Sequence, residues 1–228
     1  MSVKNRNSIV TDGLVFYVDA GNEDSYPGSG TTWSDLVGSD DGTLTNGPTY
    51  DSANGGSIVF DGANDYVNAT SFVIPSQVTV SAWINPDSTS ATRQIVTSDD
   101  STSGTRNWQF RTDAGGALRA IVFHTSSPSN VQAVTTATVS TGAWSMVTMK
   151  VDGTNIKVYI NGVEDVSASF PYSILGNGSA GDLLVGARRS SSPSDHLDGK
   201  VALASIYNRG LTDAEITQNY NALKNRFI

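Results

Sequence analysis

Side chains able to do chemistry are unevenly supplied in this chain of 228 residues, which holds 19 Asp, 3 Glu, 2 His and no Cys. Without cysteine there is no disulfide, no zinc–thiolate site and no thiol nucleophile. Glycoside hydrolysis by the usual route needs two carboxyl groups flanking the scissile bond, ~5–5.5 Å apart for retention. Residues i and i+2 of a strand share a face, so a Glu-x-Asp-x-Glu pattern would supply them. Glu23, Glu164 and Glu215 are too widely spaced for that, and Asp40-Asp41 and Asp99-Asp100 are adjacent pairs that a strand points to opposite faces. Neither His124 nor His196 adjoins a nucleophile motif, and the chain has no Gly-x-Ser-x-Gly, His-Glu-x-x-His or phosphate-binding Gly-Lys-Ser/Thr loop. The chain is expected to be non-enzymatic, with no catalytic residue.

Binding is better supplied than catalysis. Sugar recognition wants an aromatic ring for stacking with planar polar groups beside it. Trp108, flanked by Arg106 and Arg111 and close to Asp99 and Asp100, is the candidate carbohydrate site. No cofactor is required by the pattern. Calcium takes oxygen ligands at ~2.3–2.6 Å, and Asp61-Gly-Ala-Asn-Asp65 offers three through Asp61, Asn64 and Asp65 around a glycine turn. The bland reading of that segment is a turn whose carboxylates bond their own backbone. Lys4 and Arg6 give the first twelve residues a basic bias, which makes 1–12 either a frayed polar arm or a segment that docks on an acidic partner.

The elements that must position these groups are strands. Ser, Thr, Asn and Gly make up 92 residues, while the helix formers Glu and Lys are scarce. Val78-Thr-Val-Ser-Ala-Trp-Ile84 alternates cleanly, with Val78, Val80, Ala82 and Ile84 on one face and Thr79, Ser81 and Trp83 on the other. Asp-Gly at 152–153 and Asn-Gly at 161–162 mark consecutive tight hairpins. One helix is signalled near the C-terminus, where Thr212-Asp-Ala-Glu215 forms a capping box and Leu211 with Ile216 a hydrophobic staple. The fold expected is all-β, a two-sheet antiparallel jelly-roll sandwich with one short C-terminal helix, occupying 13–228 as a single domain.

Charge narrows the partners. Lys and Arg total 14 against 22 Asp and Glu, a net charge of −8, which argues against a nucleic acid backbone as ligand. No segment approaches the ~20 apolar residues of a membrane span, and Met1–Ser8 lacks the apolar core of a secretory signal.

Gly13-Leu-Val-Phe-Tyr-Val-Asp-Ala-Gly21, Ile58-Val-Phe-Asp-Gly-Ala-Asn-Asp-Tyr-Val67, Val78–Ile84, Trp144-Ser-Met-Val-Thr148, Val158-Tyr-Ile-Asn-Gly162, Leu197-Asp-Gly-Lys-Val201 and Ile206–Ile216 follow one another in a telling order. Together they resemble the laminin-G-like, concanavalin-A-like jelly-roll superfamily. Some members of that superfamily hold calcium, but its final strand often carries Gly-x-Ile-Asp where this chain has Gly199-Lys-Val-Ala202, so one carboxylate is missing. Asp19-Ala-Gly-Asn22, Trp33-Ser-Asp-Leu36 and the tail from Asn219 to Phe227 resemble the version found in tailed-phage structural proteins. That resemblance implies a virion-surface protein, made in the host cytoplasm without a signal peptide. It would decorate the head, or belong to a fibre, and bind the major capsid protein or fibre subunits, with homo-oligomers compatible. The alternative is a lectin-like module that adheres to host or environmental glycans, with calcium where it is needed.

Overall fold

The computed structural model describes residues 8–100, 105–126, 129–176, 178–188 and 193–228. The strands begin as β1 (Leu14–Asp19), β2 (Thr32–Trp33), β3 (Gly42–Thr45), β4 (Thr49–Asp51), β5 (Ser57–Asp61), β6 (Tyr66–Val73), β7 (Val78–Pro86) and β8 (Arg93–Asp100). They continue as β9 (Thr105–Thr112), β10 (Ala117–Phe123), β11 (Asn130–Thr138), β12 (Ser145–Val151), β13 (Asn155–Ile160), β14 (Val163–Ser169), β15 (Ala180–Val185) and β16 (Asp198–Tyr207). The helix α1 (Asp213–Leu223) follows. The first sheet runs β14-β13-β12-β7-β16-β5-β4, with β1 pairing the far half of β16, and the second runs β11-β10-β9-β8-β15-β6-β3-β2. All pairings are antiparallel, the arrangement expected of a jelly-roll sandwich.

Strand β7 shows how the sequence dictates the layers. Val78, Val80, Ala82 and Ile84 enter the main core between the sheets, where they meet Trp108, Phe110 and Val122 of the second sheet. Trp83, on the opposite face, joins a second cluster with Met146, Tyr159, Leu203, Leu211, Ile216 and Phe227. That cluster lies under α1 and the segment after it, so the first sheet is buried on both faces. Trp83 stacks on Phe227 at 4.2 Å and on Tyr220 at 5.8 Å between centroids. The capping box forms as the sequence predicts: the Glu215 amide donates to Thr212 Oγ1 at 3.2 Å and the Thr212 amide to Glu215 Oε2 at 2.8 Å. Arg209 grips the same carboxylate through two nitrogens at 2.7 and 2.9 Å, which holds Glu215 down at about 2.

The polar arm expected over 1–12 is part of the packed domain from Ser8 onward. The Val10 amide donates to Asn219 Oδ1 at 2.8 Å, and the buried Tyr207 hydroxyl donates to the Val10 carbonyl at 2.9 Å. Val10 itself closes the second cluster. Lys4 and Arg6 lie outside the described residues. At the opposite flank the Asp165 carboxylate, on β14, accepts from the Thr136 and Ala137 amides of β11 at 2.7 and 3.1 Å. It thereby ties the outermost strands of the two sheets together.

Candidate functional site

Strands β8 to β11 turn one face inward and the other outward. On β9, Trp108 and Phe110 point into the core, and on β10 Leu118, Ala120 and Val122 do the same. Gln109, Arg111 and Arg119 therefore stand on the outer face. Near the start of β9 the register slips: Ser98 pairs with Trp108 and Asp99 with Arg106, which leaves Asn107 as the extra residue of a bulge. The bulge turns Arg106 to the outer face alongside Gln109.

A chain of planar polar groups results. Arg106 clasps Asp99 through Nε and Nη2 at 2.8 and 3.1 Å, and Gln109 Nε2 donates to the same carboxylate. Arg111 Nη1 donates to Gln109 Oε1 at 3.1 Å and its Nε to Asp113 at 3.2 Å. Arg119 shares Asp113, with Nη2 at 2.6 Å, and reaches Gln132 Oε1 on β11 with Nη1 at 2.6 Å. The Asp99 side chain is 0% exposed, whereas Arg106 keeps 35% and Arg119 27% of its surface in water. The carboxylates form the anchored side and the guanidinium groups the accessible side. On the same face of the sheet Ile121, Phe123 and Leu184 are buried yet belong to neither core cluster. The Arg106 guanidinium sits 4.0 Å from the Phe123 ring centroid. Polar hydrogen-bonding groups beside an apolar patch can bind a hydroxylated ring without further rearrangement.

Asp99, Arg106 and Arg111, which the sequence singles out, are thus brought together. Trp108 is not. Its ring is fully buried and meets Phe72 edge-on at 6.4 Å, because strand alternation turns it away from its arginine neighbours. The expected stacking platform is therefore a core residue. Asp100 ends β8, and its side chain lies outside the described residues. Gln109, Asp113, Arg119 and Gln132 were missed. Their signal was the hairpin itself: pairing β9 with β10 across the Gly115-Gly116 turn sets Arg111 opposite Arg119, a like-charge pair that needs the acid Asp113 provides. Tyr172 adds the one large exposed aromatic ring among the described residues, stacked 3.9 Å over His124.

The proposed calcium loop is closed by its own chain. Asp61 Oδ1 accepts from the Ala63 and Asn64 amides at 2.9 and 3.3 Å, and Asp65 Oδ2 accepts from the Asp61 amide at 3.1 Å. These backbone donors hold the Asp61 carboxyl below the usual range, whereas burial pushes that of Asp65 up. The Asn64 backbone carbonyl accepts from Asn46 Nδ2 at 2.9 Å. Arg93 Nη1 donates to the Gly62 and His196 carbonyls at 3.0 and 2.8 Å, so the loop already holds a cation, a guanidinium. The Asp198 carboxylate lies 3.8 Å from the same arginine, which places one acid beside the loop from the residue just before Gly199. Among the described residues no group of three or more Asp, Glu, His or Cys side chains is gathered as a metal would need, and calcium is not assigned to this loop.

Residues 61–217 match the model of the concanavalin A-like lectin/glucanases superfamily. The chain belongs to that superfamily. No curated protein matches it. Among solved structures it is similar to domain 4 of AbnA, a GH43 extracellular arabinanase from Geobacillus stearothermophilus, in complex with arabinotriose. That likeness has 22% identity and a TM-score of 0.68 and covers 91% of this chain and 98% of that one. It is also similar to the CBM40 of the Ruminococcus gnavus IT-sialidase bound to α2,3-sialyllactose, with 15% identity, a TM-score of 0.56 and coverage of 63% and 82%. The binding domain of Paraclostridial Mosquitocidal Protein 1 gives 16% identity and a TM-score of 0.69 over 92% of this chain, which spans about half of that one, 52%. At these identities the likeness shows the fold of the superfamily. Two of these structures hold a saccharide, and none of the three is named as a virion component.

Proposed function

We propose that the protein is a non-catalytic glycan-binding module whose ligand lies across the outer face of β8–β11. One observation carries this reading: the unbroken run of Arg106, Arg111, Arg119 and Gln132, linked through the buried Gln109 and aimed by buried or half-buried carboxylates beside an apolar patch. Side chains locked in place before the ligand arrives lose little entropy on binding. The superfamily, and the arabinotriose and sialyllactose present in two of its similar structures, support a saccharide as the class of ligand. Binding is favoured over hydrolysis because Asp99 and Asp113 are each tied up in ion pairs with guanidinium groups, so neither carboxyl stands free to flank a glycosidic bond as the hydrolytic pair must.

The test is a glycan array followed by calorimetry on the best hit, with the double variant Arg111→Ala/Arg119→Ala. Affinity should fall by about tenfold or more, as for loss of one or two charge-assisted hydrogen bonds. Unchanged affinity in a variant that keeps its circular dichroism would overturn the assignment of this face.

A further inference from the structure

A cleft of about 650 Å³ opens at the rim of the sandwich, away from the outer-face residues just described. It lies where β1 of the first sheet approaches the end of β6 in the second, and its volume falls in the range of ~300–1,000 Å³ typical of small-molecule sites. Two features of the chain build it. Asp35 accepts from the Tyr17, Val37 and Gly38 amides at 2.9, 3.1 and 3.0 Å and so pins the segment carrying Ser39 and Asp40 against β1. Ser71 takes a left-handed backbone, φ 69°, beside a register slip between β6 and β15. That turn redirects the chain so that Val73, Ile74 and Pro75 line the opposite wall.

The lining has two characters. Val15, Phe72, Ile74 and Pro75 are apolar, whereas Ser39, Asp40, Ser71 and Asn208 carry hydrogen-bonding groups. Among the described residues no Lys, Arg or His lines it, and burial, with the carboxylates of Asp35 and Asp41 nearby, pushes the Asp40 carboxyl up. An anionic ligand would meet uncompensated negative charge here. A neutral sugar ring meets neither penalty: its C–H face suits the apolar wall, and its hydroxyls can donate to Asp40 and exchange hydrogen bonds with Asn208 and the serines.

We propose that this rim cleft is a second ligand site, taking a neutral saccharide unit oriented by Asp40 and Asn208. The ligand class rests on the glycan-binding reading; the location does not depend on the outer face of β8–β11. The test uses amide NMR of the whole protein titrated with methyl glucoside and methyl arabinoside, with glucuronate as the charged control. The neutral glycosides should shift the Val15, Ser71, Val73 and Gly178 amides saturably, and glucuronate should not. Asp40→Ala, which also relieves the repulsion among neighbouring carboxylates, should stay folded and weaken cleft binding about tenfold or more, the worth of a hydrogen bond to a charged group. Arg111→Ala/Arg119→Ala should leave the cleft shifts intact, so the two sites fail or stand separately. The inference is overturned if neutral glycosides move only β9–β11 amides, if glucuronate moves the cleft amides equally, or if Asp40→Ala binds as the parent does.

Discussion

Breaking the Asp99–Arg106 pair from either end should give unequal losses. The Asp99 side chain is fully excluded from water and accepts both nitrogens of the Arg106 fork and the Gln109 amide, whereas a third of Arg106 is exposed. In Arg106→Ala the carboxylate stays buried with Gln109 as its remaining partner, and orphaning a buried charge costs about 3–5 kcal/mol. In Asp99→Ala the guanidinium can turn to solvent and the main orphan is Gln109 Nε2, a cost of about 1–3 kcal/mol. The double variant removes the stranded charge, so it should be more stable than Arg106→Ala alone by about 1–2 kcal/mol, a negative coupling that additivity would not produce. Urea unfolding of the four proteins, fitted with a common slope, measures all three differences. If Asp99→Ala proves as costly as Arg106→Ala, or the double variant is the least stable, the carboxylate is not isolated from water and the anchoring role assigned to it is wrong.

Three further outcomes follow from the geometry. The Glu215 carboxyl lies at about 2 when folded against an ordinary 4.5, so its contribution is complete above pH 4.5 and is lost as pH falls toward 2. Glu215→Gln keeps the helix cap and loses the charge. It should cost about 1–2 kcal/mol at pH 7 after allowance for partial exposure, and acid titration of both proteins should bring their stabilities together. Trp83→Ala empties the stack with Phe227 and Tyr220 and should cost about 3–5 kcal/mol, lowering the thermal midpoint by roughly 10 °C; Trp144→Ala, at a half-buried site, should cost clearly less, and equal shifts would refute the packing argument. Ser71→Gly should stabilise by about 0.5–1 kcal/mol, since glycine relieves a left-handed backbone costing ~1–2 kcal/mol in other residues while giving back part as chain entropy. A lower urea midpoint in that variant would show that the serine side chain outweighs the strain.

The layers were legible because their signals are local. The β7 alternation, the capping box and the Asn161-Gly162 corner, where both residues have positive φ, each depend on a few consecutive residues. The site was only half legible because it depends on register. Asp99, Arg106 and Arg111 could be grouped by proximity in sequence, but the bulge at Asn107 decides which neighbours share a face, and it sends Trp108 inward. Arg119 and Gln132 join only through pairing of three strands. The Asp61 loop shows the same limit from the other side: its oxygens looked free for an ion until Arg93 from β8 arrived to bond the loop carbonyl. Trp144 is half-buried just before β12 and donates its indole N–H to Asn54 Oδ1 at 3.3 Å, a contact between residues ninety apart that no local pattern announces.

The position of β16 has a kinetic consequence. That one strand pairs with β7, β5 and β1, so the centre of the first sheet consists of partners separated by most of the chain. On a ribosome, β1 and β7 emerge long before β16 and must wait unpaired along those edges until Tyr207 is made. Loop-closure entropy is then spent on distant contacts, which places the protein among slow folders of high contact order. The exposed edges of the waiting strands are the surfaces on which a nascent chain would pair wrongly, so holding them apart is the step at which a chaperone would change the yield.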